Sequence, residues 1–282
     1  MREKRQYIHF SFDDVYRALK DITDHADSYG SVFDNELFCW MKMMHDLYGA
    51  VFSLYTFNYY SKASEYDISD FPSKYAEDLK SNAGWLKFGF HARDDKKKYN
   101  SDEPDAIKAD YEKFYNAIMY ATEGSDSSID RVVRLGFFSG TRVNVQALQK
   151  CKKGILGLLT ADNDNKRLSY YLEEERTALL NQKGKLWEEQ WFIDKDGITK
   201  NKHLLFLKSQ LRMELVESME DLLTEIGNYN QPKVLEFFTH ESCWYRESKV
   251  NGYSIPELVE SLIKWAFEQG YGFDFAQNQY EL

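Results

Sequence analysis

The chain is short of the residues that mark unusual polymers. Only 4 Pro and 15 Gly occur in 282 residues, which excludes collagen-like and Gly/Pro-rich low-complexity readings. Three cysteines, Cys39, Cys151 and Cys243, form an odd and scattered set. No disulfide framework and no CxxC metal knuckle are expected from them, and the thiols are read as free. No stretch reaches the ~18 apolar residues of a membrane span. Residues Met1 to Phe10 lack the apolar core of a signal peptide, so a cytoplasmic chain without a membrane partner is expected. Positive charge is also scarce: 36 Lys+Arg against 46 Asp+Glu give a net −10. Nucleic acid is therefore not an expected partner, and Lys96-Lys97-Lys98 is read as a solvated loop. Nor is there a Gly-rich phosphate loop, because Gly136 and Gly140 fit neither GxGxxG nor a Walker motif.

What is present is a large apolar core and a regular alternation of elements. Hydrophobic residues make up 43% of the chain, enough for a sizeable globular interior. Short apolar runs at 7–12, 50–57, 85–90, 132–138, 155–160 and 234–239 read as strands. Helical spacing covers 34–48, 73–82, 105–121 and 214–227, and a further helix begins at Ser254, where Glu257 completes a capping box and Pro256 lies in the first turn. Asp196-Gly197 signals a hairpin between 187–193 and 198–207, although 204–207 reads equally well as a barrel strand. Strand–helix alternation implies parallel strands with helices packed outside. The expected class is α/β, a distorted barrel of about seven strands in one domain over 1–282, with 166–212 as an irregular insertion. An open doubly wound sheet is the alternative.

In parallel α/β folds the chemistry sits at the C-terminal ends of the strands. Strand one ends in Asp13-Asp14, strand three in His91 followed by Asp94-Asp95, strand five in Asp162, and the late strand in His240-Glu241. Apolar strands have no packing reason to end repeatedly in groups that are costly to bury. A divalent cation supplies one, because it pairs with carboxylate oxygen and neutral imidazole. Arg212 and Glu214 follow the ambiguous strand, with Arg212 the candidate substrate contact. Aromatic residues reach 16%. Most belong in the core, but Trp187, Trp191, Trp244 and Tyr245 are candidates for stacking on a sugar, and Trp244 and Tyr245 are favoured because they closely follow His240.

Phe12-Asp13-Asp14 closing the first strand, a His motif closing the third, and a late Phe-Phe-Thr-His240 together resemble the polysaccharide deacetylase superfamily. The resemblance covers strand order over roughly residues 7–270. It implies a distorted (β/α)7 barrel that hydrolyses N- or O-acetyl groups on sugars with a divalent metal, most often zinc. It further implies Asp13 as general base and His240 as general acid. Asp14, His91 and Asp95 would be metal ligands, with Asp94 as the alternative to Asp95, and Asp162 would support the substrate. The chain departs from the pattern in two places. Val15 stands where the family has Gly, and the family's Arg-Pro motif is missing, leaving Arg142 as the candidate replacement. Two other readings remain open: a non-catalytic barrel that binds sugar or a partner protein, and a glycosidase with paired carboxylates.

Overall fold

The computed structural model describes residues 6–161, 168–193, 199–216, 218–227, 233–246, 252–280 and 282. Seven parallel strands form the centre: β1 (Tyr7–Val15), β2 (Phe52–Phe57), β3 (Leu86–Ala92), β4 (Val132–Val133), β5 (Gly157–Thr160), β6 (Thr199–Arg212) and β7 (Val234–His240). They lie in the order β3-β2-β1-β7-β6-β5-β4, every neighbouring pair parallel. An isolated parallel bridge from Phe88 to Ile129, just before β4, brings the two edges together. The sheet is thus a nearly closed barrel, as the alternation of elements implied.

All six residues of β2 and all seven of β3 are buried. This is the pattern of strands covered on one face by helices and on the other by the barrel interior. Gly89 on β3 shows how full that interior is. A Cβ there would lie 2.5 Å from the Tyr55 ring, closer than packed atoms tolerate, so the position takes no side chain.

The helices follow their strands: α1 (Arg17–Asp24) and α2 (Glu36–Tyr48) after β1, α3 (Ala76–Ser81) after β2, α4 (Pro104–Ala121) after β3, α5 (Arg142–Lys150) after β4, α6 (Glu174–Lys183) after β5, α7 (Met219–Gly227) after β6, and α8 (Glu241–Trp244) and α9 (Ile255–Glu268) after β7. Their limits are written locally. The Asn35 side chain caps α2 by accepting from the Leu37 and Phe38 N–H groups, and Gly49 ends it in a left-handed conformation. The expected capping box of Ser254 and Glu257 starts α9.

The run at 132–138 is a strand over two residues alone. It then turns through Gly136–Phe138, where Phe137 and Phe138 have φ of 58° and 52°. Arg134 accounts for the departure. Its side chain points into the barrel, toward carboxylates on other strands, and the chain leaves the ladder there. In the 166–212 stretch, α6 precedes an antiparallel pairing of Lys185–Ile193 with β6. Residues 204–207 thus lie on the barrel strand and pair with the hairpin at the same time, so both readings of that run hold. The Asp196-Gly197 turn lies outside the described residues.

Candidate active site

Pairing of β1 with β2 breaks register between Phe12 and Val15. Asp13 and Asp14 form this bulge, and Asp14 has a φ of 59°. A bulge re-aims side chains, and a left-handed backbone in a non-glycine residue costs about 1–2 kcal/mol. Both carboxylates line a pocket of about 210 Å³ at the C-terminal rim, together with Phe57, His91, Asp95, Arg134, Phe137, Phe138, Arg212, Phe238 and His240. Strained backbone at Asp14, Phe137 and Phe138 therefore gathers at one place, as it does at functional sites.

Arg134 was not singled out in the sequence, and it is the centre of the site. It is 1% exposed. Its Nη1 donates to Asp13 Oδ1 at 2.7 Å and to Ser11 Oγ at 2.9 Å, and its Nη2 donates to Glu236 Oε1 at 3.0 Å and to Ser209 Oγ at 2.9 Å. The guanidinium lies 3.9 Å from the Phe238 ring centroid, in cation–π range. Burial opposes its charge, but Asp13 and Glu236 hold it firmly protonated. Behind it, Glu236 pairs with His9 Nδ1, and His9 Nε2 meets Ser53 Oγ at 2.9 Å. Burial lowers the His9 pKa, but Glu236 reverses this and leaves it raised. Burial likewise works against the Glu236 charge, and His9 and Arg134 outweigh it.

The two predicted histidines are each tied from behind. His91 Nδ1 donates to the Arg134 carbonyl at 2.6 Å, and His91 Nε2 lies 3.1 Å from Asp14 Oδ1. Burial pushes the Asp14 pKa up, yet His91 and the more distant His240 bring it below the usual carboxylate range. His240 Nδ1 is bonded to Glu214, whose other oxygen accepts from Thr239 Oγ1 at 2.9 Å. Burial lowers the His240 pKa, but Glu214, Asp13 and Asp14 raise it further, to a net increase.

Of the other predicted residues, Asp95 and Arg212 reach the pocket and the rest of those described do not. Asp95 lines the pocket, but its carboxylate accepts from the Ser61 N–H and Oγ at 3.0 and 2.9 Å. Asp94 caps its own loop through the Lys96 and Lys97 N–H groups. Arg212 ends β6 on the pocket wall, 5.6 Å from the Phe238 ring centroid. Arg142 lies outside the pocket and pairs with Glu188 at 2.7 Å. Arg134, rather than Arg142, is the arginine bonded to Asp13. Trp244 packs on Trp40 and Tyr245 rather than on the pocket. Asp162 lies outside the described residues. Glu241 is fully buried and accepts the N–H groups of Tyr16, Arg17 and Ala18, so it anchors the start of α1.

Asp14 and His91 are the part of the predicted ligand set that the fold brings together. With Nδ1 donating to a carbonyl, His91 presents only its Nε2 to the Asp14 carboxylate. That contact needs a proton or a cation between the two. A separation of 3.1 Å also suits two atoms each ~2.0–2.2 Å from one ion. No third His, Cys, Asp or Glu among the described residues joins them at ligand spacing.

No family model and no curated protein matches the chain. Among solved structures it is similar to a 4-alpha-glucanotransferase from Thermococcus litoralis, with 12% identity and a TM-score of 0.50. The match covers 98% of this chain and 38% of that one, so this chain spans well under half of its length. At that identity the likeness concerns the fold, and it agrees with the α/β barrel described above.

Proposed function

We propose that the chain is a hydrolase that removes an acyl group from a carbohydrate at this rim. The observation that carries the reading is the way three reactive side chains are held. Asp13 by Arg134, His91 by the Arg134 carbonyl and His240 by Glu214 each have one polar atom fixed from behind, and each also lines the pocket. Fixed orientation of this kind is what general acid–base chemistry requires. Phe57, Phe137 and Phe238 on the walls suit the C–H faces of a sugar. The pocket has room for one substituent or ring edge, so a longer substrate would lie across the rim.

Asp14 and His91 would hold a divalent cation, zinc being the metal that the resemblance implies. Bound there, it would polarise a carbonyl oxygen and acidify a water. Asp13, fixed in place by Arg134, takes the proton from the attacking water. His240 is protonated more readily because Glu214 faces it, and it gives its proton to the leaving amine or alkoxide. Arg212 lies on the same wall and offers its guanidinium to substrate oxygen atoms.

The diversion of Asp95 to Ser61 is the one observation that favours a sugar-binding barrel without activity. Acetate release from N- and O-acetylated oligosaccharides separates the two readings. The hydrolase reading expects acetate from the metal-supplied protein, lost on chelation and in H91A. Sugar binding with no acetate at any metal tested would establish the other.

A further inference from the structure

Glu214, His240 and Cys243 bring one carboxylate, one imidazole and one thiol within 4.8 Å of one another. Among the described residues no other group of His, Cys, Asp and Glu meets that spacing. Its composition follows from the topology. Glu214 sits in the 3₁₀ turn Met213–Leu215 that leaves β6, and His240 ends the adjacent strand β7. His240 is also the N-cap of α8, so Cys243, three residues on, comes round to the same side of that turn. Cys243 is unpaired and 8% exposed, and none of the steps proposed above uses it.

We infer that Glu214, His240 and Cys243 form a second metal site, suited to zinc, whose occupation switches the enzyme off. A thiolate, an imidazole and a carboxylate are three of the ligand types zinc takes, and three protein ligands leave a fourth position for water. The thiol sets this site apart from Asp14 and His91, which offer harder donors. His240 Nδ1 already faces Glu214, so an ion held by both takes the place of the proton between them. His240 then cannot become an imidazolium, and the proton left on Nε2 is too weakly acidic to serve a leaving group. The inhibition rests on the reading of His240 as the acid; the binding does not.

Cobalt(II) is the direct probe, because a thiolate bound to it gives a charge-transfer absorption in the near ultraviolet. Adding cobalt(II) chloride to the metal-stripped full chain is expected to produce that band, with an amplitude that saturates once a single ion fills this site. The band should vanish in C243S and C243A and persist in D14N. Cobalt binding without the band, or a band that survives both Cys243 variants, overturns the site. For inhibition, zinc chloride added beyond the amount that gives maximal acetate release is expected to suppress that release by the wild type. C243S should keep its basal rate and need at least the ~10–100-fold more zinc that loss of even an outer-shell partner demands. Equal zinc sensitivity of C243S and wild type overturns the switch. If no acetate is released at all, the proposed reaction fails, while the cobalt band still decides the site.

Discussion

Replacing Arg134 with Met tests the centre of the barrel. The substitution keeps an unbranched side chain on Phe238 but removes four hydrogen bonds. It leaves Asp13 and Glu236, 2% and 0% exposed, facing one another without their cation. Removing one partner of a buried ion pair costs about 3–5 kcal/mol. Against a domain stability of about 5–15 kcal/mol, that is a large share. The penalty carries a pH signature. In the wild type, burial raises the Glu236 pKa, but His9 and Arg134 bring it below normal. Its contribution to stability is therefore present above the unfolded value and lost as pH falls through the folded one. Without Arg134 the folded pKa rises, so the gap between variant and wild type widens as pH climbs through the new value. Urea unfolding at about pH 5 and about pH 8 measures this. The R134M penalty should be larger at the higher pH, and adding E236Q should recover part of it. A penalty below about 1 kcal/mol, or one equal at both pH values with no recovery from E236Q, would refute the reasoning.

Three further outcomes are expected. Glu214→Gln removes the carboxylate that raises the His240 pKa, so the alkaline limb of the pH–rate profile should move to lower pH; an unmoved limb would detach Glu214 from the chemistry. Gly89→Ala places a methyl group 2.5 Å from the Tyr55 ring and should cost about 1–3 kcal/mol by overpacking, read as a lower urea midpoint with an unchanged m-value. Glu241→Ala leaves three N–H groups at the start of α1 without their acceptor. It should cost about 1–3 kcal/mol and leave the cobalt thiolate band in place, which separates an anchoring role from a ligand role.

The fold was legible where the signal was local. Apolar runs that end in polar residues gave β1, β2, β3 and β7 nearly at their observed limits, and the Ser254–Glu257 box gave the start of α9. Asp13, Asp14, His91 and His240 were legible for the same reason, since each stands at the end of such a run. Arg134 was hidden because its partners lie far off in the chain: Asp13 is 121 residues away and Glu236 is 102. In the sequence it reads as a charge inside an apolar stretch, Val132-Val133-Arg134-Leu135, and only closure of the barrel supplies its carboxylates. Glu214 was noticed beside Arg212, but its hydrogen bond to His240 depends on the 3₁₀ turn Met213–Leu215 that carries it beyond the end of β6, which the run of residues does not reveal. Asp95 illustrates the converse. Its place four residues after His91 matched a family spacing, yet the loop folds so that Ser61 occupies its oxygens.

The rate of acetate release by His240→Ala, set beside the wild type, is the most direct test of the proposed chemistry. Loss of the general acid should lower the rate by about 10²–10⁴-fold, with the urea midpoint little changed because His240 sits at the rim, part-exposed. A variant that releases acetate at the wild-type rate would contradict the account.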